Sequence, residues 1–241
     1  MPESLSRRVI VGRKYAAALA KIEARPYRLE AALALLREIA YARFDETVEL
    51  ALRLGVDPRK PEQQVRGSVV LPHGTGKTRR VLAIAVGDKA VEARQAGADF
   101  VEGPEVVERI EQGWLDYEAV VATPDMMRFL GRVGKILGPR GLMPNPKAGT
   151  VTSDIGRAIR EIKAGRVEFR TDKTGNVHIP VGKKSFPVES LTENVLAAVE
   201  AVLRAKPPTT RGRYLRRAYV STTMSPALEL DLNDLLARLR V

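Results

Sequence analysis

Apolar residues follow three rhythms along the chain, and each predicts a different kind of element. Residues 44–54, FDETVELALRL, alternate. Val48, Leu50, Leu52 and Leu54 fall on one side, Thr47, Glu49 and Arg53 on the other. That is the period of a strand with one face buried. YLRRAYVSTT (214–223) predicts another strand, and RVEFR-TDKTG-NVHIPV (166–181) predicts a hairpin around a glycine-bearing loop. The second rhythm is unbroken: VLAIAV (81–86) has no polar position, as in a strand buried on both faces. The third is helical. LEAALALLREIAYA (29–42) is amphipathic, and SLTENVLAAVEAVLRA (190–205) is a helix whose Ser190 and Glu193 are spaced as a capping box. In SDIGRAIREIKAG (153–165), Ile155, Ala158, Ile159 and Ile162 share a face between a capping Ser153 and a terminal Gly165.

The rhythms are segregated. After VLAIAV come a helix at DKAVEARQAG (88–97), a strand at ADFV (98–101), a helix at PEVVERIEQG (104–113) opened by Pro104, and a strand at EAVVAT (118–123). PDMMRFLGRVGKIL (124–137) reads as one further helix. Strand and helix in alternation predict a parallel, doubly wound α/β unit. Neither end of the chain holds enough strands for a sheet of its own. Together they make one antiparallel sheet with helices on a single face. The expected fold is therefore α/β in two domains: a discontinuous α+β domain from 1–74 plus 166–241, and an inserted domain at 75–165. The tail ALELDLNDLLARLRV (227–241) reads as a short amphipathic helix. For 241 residues, one large domain or two small ones is the ordinary expectation.

Charge changes the picture. Forty Lys and Arg against 29 Asp and Glu give a net +11, a balance that usually serves a polyanion, most often nucleic acid. The alternative is a basic protein with no such partner. Residues 1–74 carry net +4, 75–165 net +2 and 166–241 net +5, so the two ends hold most of the excess. The densest stretch is Arg204 to Arg217, with six basic residues and no acid; Asp88 to Glu118 is the reverse, with nine acids and three bases. Aromatics are 5% of the chain, few for stacking along a single strand and enough for phosphate and shape recognition of folded RNA.

The chemistry that remains is thin. There is no cysteine, which excludes disulfides, thiolate zinc sites and a Cys nucleophile and fits a reducing compartment. No apolar run reaches the roughly 20 residues of a membrane span, and the N-terminal stretch is cut by Arg and Lys, unlike a secretory signal. His73 and His178 are the only histidines, and neither belongs to a metal-ligand cluster. His178 falls on the polar side of its strand, near Arg170 and Lys173. HGTGKT (73–78) resembles the end of a phosphate-binding loop, but Leu71 stands where the first glycine belongs and RRVLAIAV, a strand, follows where a helix is needed. A nucleotide-dependent enzyme is the rival this loop keeps open, and a DNA-binding protein is a third reading; a hinge between domains is the plainer reading of the loop. GPRGLMPNPKAGT (138–150), with three prolines and three glycines, is either a rigid tether or a binding loop.

Several of these segments together resemble one family. ARFDETVEL, PHGTGK, AGADFV, VVATPD, ILGPRGLMPNPKAGTV, IKAGRVEFRTDKTGNVHIPVGKKSFP and STTMSP stand in the order expected for the L-one family of large-subunit ribosomal proteins, over about residues 29 to 226. The resemblance implies a discontinuous RNA-binding domain and an inserted three-layer Rossmann-like domain. It implies a structural, non-enzymatic constituent of the large subunit, cytoplasmic and ribosome-associated, with no cofactor or metal and no membrane. Such a protein binds ribosomal RNA, forms the mobile stalk at the tRNA exit site and assists release of deacylated tRNA. It also represses translation by binding its own messenger RNA, and is a monomer off the ribosome. The RNA-binding positions implied are Arg43, Phe44, Thr47, Glu49 and Arg53, then Asp172, Lys173, Thr174 and His178, then Thr223, Met224 and Ser225. At the last of these the usual residue is glycine, and Ser221 likewise departs from the usual Thr-Thr-Thr-Met-Gly-Pro.

Overall fold

The computed structural model describes residues 12–146 and 149–239. The basic N-terminal arm through Val11, Lys147 and Ala148 of the Pro/Gly loop, and Arg240 and Val241 of the tail lie outside the described residues. In chain order the first elements are α1 (Arg13–Leu19), α2 (Leu29–Ile39), β1 (Thr47–Leu54) and β2 (Arg66–Val70). Next come β3 (Val81–Ile84), α3 (Asp88–Gln95), β4 (Phe100–Glu102), α4 (Val106–Glu111), β5 (Ala119–Ala122), α5 (Met127–Leu130), α6 (Gly134–Leu137) and α7 (Ile155–Lys163). The chain ends with β6 (Arg166–Arg170), β7 (Asn176–Lys183), α8 (Val188–Arg204), β8 (Leu215–Thr222), β9 (Leu228–Glu229) and α9 (Leu232–Arg238).

Two architectures result. The antiparallel part is a four-stranded sheet in the order β7-β1-β8-β9 and a separate two-stranded sheet of β2 and β6. Val48, Leu50, Leu52 and Leu54 point inward, as their alternation predicts, and join Leu33 and Leu36 of α2 and Val195 and Val199 of α8 in one core. That core takes residues from Ala18 to Leu71 and from Val167 to Leu235, and none between. The parallel part has the order β4-β3-β5. Residues 81–84 are wholly buried, because Leu82 and Ile84 face α4, α5 and α6 while Val81 and Ala83 face α3 and α7. The mixed α/β class expected from the sequence is the observed one.

Several local expectations are corrected. The hairpin at 166–181 is one bridge deep, Thr171 to Val177. Its strands part to pair elsewhere, β6 with β2 and β7 with β1, because each finds a longer ladder there. The single helix at 124–137 is broken into a 3-10 turn, α5 and α6. Between them Arg132, Val133 and Gly134 donate to the carbonyls three residues back, and Gly131 and Gly134 supply no side chain to hold a straight helix there. Asp154, not Ser153, caps α7, its carboxylate accepting the Arg157 N–H. The Ser190–Glu193 capping box does not form: α8 already begins at Val188 behind Pro187, and Glu193 instead meets His73 Nε2 at 2.6 Å. The second strand of the parallel part lies at Phe100–Glu102 rather than 98–101, because Ala98 closes the turn after α3 by donating to the Ala93 carbonyl.

The tail adds β9 and α9 to the antiparallel part. Tyr27 and Asp231 exchange backbone bonds with their neighbours across this seam, Leu29 donates to Asp234 at 3.3 Å, and Arg238 forms a two-armed pair with Glu30. The chain passes between the two architectures at 71–80 and again at 163–166, and these crossings touch. Gly165, at φ 102°, has no room for a Cβ because Gly74 Cα occupies the space. Asn194, fully buried on α8, accepts the His73 N–H at 3.0 Å and donates to the Gly74 and Val181 carbonyls at 3.0 and 2.8 Å. HGTGKT opens no helix, since β3 follows it, so the geometry a phosphate-binding loop needs is not formed.

Candidate nucleic-acid interface

The alternation that buries one row of β1 leaves the other row facing out, and the register of the sheet assembles a polar face around it. Glu49 lies beside Pro180 and Ser221, Ala51 beside His178 and Tyr219, and Arg53 beside Asn176 and Arg217. Glu49, His178 and Arg217 are exposed. Strands rise about 3.3 Å per residue, so Thr47 and Arg53 mark the ends of a strip roughly 20 Å long.

At the Thr47 end two loops meet over a buried carboxylate. Glu46 is fully buried. One oxygen accepts the Ala42 N–H at 2.8 Å; the other accepts the Thr222 hydroxyl at 2.6 Å and the Met224 N–H at 2.9 Å. Burial pushes its pKa up, but these bonds and the nearby Lys184 ammonium outweigh burial and hold it below the ordinary carboxylate range. The loop bearing Arg43 and Phe44 is thus tied to the turn bearing Thr223 and Met224. Two further bonds close the joint: Thr47 N–H donates to Thr223 Oγ1 at 3.1 Å, and the Tyr41 hydroxyl donates to the Met224 carbonyl at 2.8 Å. Phe44 and Met224 are left 56% and 48% exposed, an uncommon placement for large apolar side chains on a rigidly bonded turn, and one suited to packing against a partner. The Ser225 hydroxyl turns inward, accepting the Thr222 N–H at 3.0 Å and donating to the Pro226 carbonyl at 3.2 Å.

Along the strip, the loop between β6 and β7 is organised by Asp172. Its Oδ1 accepts the N–H groups of Thr174 and Asn176, each at 2.8 Å, and the Thr174 hydroxyl also donates to it. Burial again opposes the charge, and the Asn176 N–H and the Thr174 bonds overcome it, bringing the pKa down to about 2. Arg53 donates to the Thr174 carbonyl and, at 3.2 Å, to Asn176 Oδ1. His178 lies between two carboxylates, 3.7 Å from Glu49 and 4.0 Å from Asp172. Lys173 is exposed.

The named residues therefore form two groups on one face: Arg43, Phe44, Thr47, Thr223, Met224 and Ser225 at one end, and Glu49, Arg53, Asp172, Lys173, Thr174 and His178 along the rest. Sequence reasoning missed Glu46, although a signal was present. Positions 46, 48, 50, 52 and 54 share the buried phase of β1, so an acid at 46 implies a paired interior charge.

The sequence profile of the Ribosomal protein L1p/L10e family matches residues 36–226. The match opens inside α2 and closes at Pro226, enclosing the whole of this face. The large ribosomal subunit protein uL1 of Solibacter usitatus (strain Ellin6076) is 55% identical over 221 residues, which cover 91% of this chain and 93% of that protein.

Proposed function

This chain belongs to the ribosomal protein L1p/L10e family, a structural and non-enzymatic one, and from that membership we propose a constituent of the large ribosomal subunit that holds ribosomal RNA on the open face of its antiparallel sheet. It works in the cytoplasm, on the ribosome. The observation that carries the RNA reading is the joint at Glu46. It fixes an exposed phenylalanine, a methionine and a threonine hydroxyl in one arrangement, so that recognition costs little ordering on binding. A shaped, hydroxyl-bearing surface of this kind suits the 2′-hydroxyls and sugar edges of folded RNA better than it suits duplex DNA.

In this reading residues 1–74 with 166–241 are the RNA-binding domain and 75–165 an inserted domain carried beyond it. The paired crossings at Gly74 and Gly165 are the pivot, and motion about them serves the release of deacylated tRNA at the exit site. The same face, offered a similar fold in the chain's own messenger, represses its translation. Off the ribosome the protein is a monomer. The nucleotide-enzyme alternative loses its footing with the missing helix after Lys77.

Crosslinking in cells followed by sequencing of the attached RNA tests the reading. Crosslinks are expected in one segment of large-subunit ribosomal RNA and in the leader of the protein's own messenger. Crosslinks scattered over unrelated transcripts would overturn specific recognition, and their absence from the messenger would overturn repression alone.

A further inference from the structure

The basic run at 204–217 is not used by the recognition turn, yet the fold treats it with care. Between Arg53 and Leu54 the register with β8 shifts: Arg53 pairs with Arg217, but Leu54 pairs with Leu215. Arg216 is the extra residue of a β-bulge. In a regular strand it would face opposite to Arg217; here both are exposed, between buried Leu215 and Ala218. The turn just before them adds Arg211 and Arg213, also exposed, on either side of Gly212 at φ 74°.

This arginine edge stands on a rigid base. Tyr214 is buried and its hydroxyl donates to the Val202 carbonyl at 3.0 Å. Gly55 donates to the Tyr214 carbonyl at 2.6 Å, and a Cβ at position 55 would run into the Arg213 carbonyl. Three of the four guanidinium groups are uncommitted. Among the described residues Arg211, Arg213 and Arg216 form no ion pair and no side-chain hydrogen bond, while Arg217 touches Tyr219 Oη at 3.2 Å and Glu229 only at 4.0 Å. A groove of about 600 Å³ runs along the edge, lined by Lys60, Arg211 and Arg216, with Asp57 and Glu62 also on its wall. One oxygen of Asp57 accepts the Arg59 N–H at 3.1 Å.

We propose that Arg211, Arg213, Arg216 and Arg217 form a second RNA contact, which grips the sugar–phosphate backbone flanking the element recognised at the Thr223 turn. The proposal rests on the RNA-binding reading and adds a division of labour to it. Arg217 faces Arg53 across the ladder, so the edge continues the same face, roughly 20 Å of strand away from Thr47. One folded RNA element spans both ends. Arg211, Arg213 and Arg216 meet phosphate without first breaking an ion pair, and the planar forks of all four suit its oxygens. Backbone contacts of this sort position a duplex and carry no sequence information.

The test uses the full-length protein, an Arg213→Gln/Arg216→Gln double variant and an Arg94→Gln/Arg128→Gln control on the parallel part. Affinity is measured from low to moderate salt, for a transcript of the crosslinked ribosomal segment and for a scrambled transcript of equal length. Glutamine removes charge where no bond is lost, so the unfolding midpoint is expected to hold. The slope of log affinity against log salt is expected to flatten by about 1.4 to 1.8 in the first variant, at 0.7–0.9 per lost phosphate contact, and not in the control. The preference for the true transcript is expected to stay the same. An unchanged slope, or an equal loss in the control, would overturn the arginine contact while leaving the RNA reading standing. A wild-type protein that binds both transcripts equally would overturn the RNA reading, and the contact with it.

Discussion

The parallel and antiparallel sheets of this molecule dispose of their surfaces in opposite ways. β3 is sealed on both faces by helices, whereas β1 is covered on one face by α2 and α8 and left open on the other. Charge follows the same division. Four of the nine acids in the stretch 88–118 are answered internally: Glu92 binds Lys89 and the Gly156 N–H, Asp99 binds Lys163, Glu102 binds Arg109, and Glu111 binds Arg132. Among the described residues the base-rich stretch 204–217 forms the Arg204–Glu200 pair and the distant Arg217–Glu229 contact and no other ion pair. Total charge therefore says less about partners than charge left unanswered at the surface. By that measure the antiparallel part is the one built to meet a polyanion.

The largest effect should come from separating the two parts. Residues 1–74 joined to 166–241 by a short linker contain every residue of the larger core. They should fold and bind the ribosomal transcript nearly as the whole chain does. Residues 75–165 should fold and bind it at least a hundredfold more weakly, a difference of about 3 kcal/mol. Similar affinities for the two pieces would erase the contrast.

Next in size is Glu46→Gln. The amide keeps the shape, but it removes the charge and turns an NH₂ toward one of the donors that Glu46 now accepts. Folding stability should fall by about 2–3 kcal/mol, and the preference for the true over the scrambled transcript should shrink. The salt slope should not move, since no phosphate contact is lost. Chemical unfolding and transcript titrations at several salt concentrations check both parts. A flattened slope would mean that Glu46 acts through the overall field and not through the turn it holds.

Thr223→Val and Arg53→Ala divide shape from charge within the face. Thr223 already accepts the Thr47 N–H, which leaves its own hydroxyl hydrogen free to donate outward. Valine should weaken the transcript complex by about 1–2 kcal/mol through lost hydrogen bonding, with the slope unchanged. Arg53→Ala should flatten the slope by about one if the side chain meets one phosphate, and should also loosen the Thr174 loop it braces. If the valine variant binds as wild type does, recognition does not run through this hydroxyl.

How far the sequence reached differs between the same two parts. Strict alternation made β1 and its buried row legible, and the apolar run made β3 legible as a doubly covered strand, because those patterns are set by burial alone. What stayed hidden depended on residues distant in sequence. Two of the three donors that satisfy Glu46 in the interior arrive from Thr222 and Met224, 176 and 178 positions away. The arginine run was visible, but the bulge that turns Arg216 outward exists only against Leu54. In the parallel part the failures were local: glycines at 131 and 134 broke a helix whose apolar spacing looked continuous, and Asp154 outcompeted its neighbour Ser153 as a cap.

The smallest expected effect is a flat line over a range of pH. Both carboxylates that organise the face have folded pKa values below their ordinary ones, Asp172 at about 2. A carboxylate depressed in this way contributes stability that is fully present above its ordinary pKa. That contribution is lost as pH falls through the folded value, because the unfolded chain then takes up protons first. From pH 8 to 5 neither group changes state, so the bonds at Glu46 and Asp172 should persist. Amide exchange at Met224 and Asn176, the N–H groups these carboxylates accept, should keep constant protection once the intrinsic pH dependence is removed. Below pH 4.5, protection at Met224 should fail before that at Asn176, since Asp172 holds its charge down to about 2. The opposite order would mean that the Asp172 loop, exposed at the rim of the sheet, is the weaker of the two joints. The turn at Thr223 would then be the better shielded part of the face.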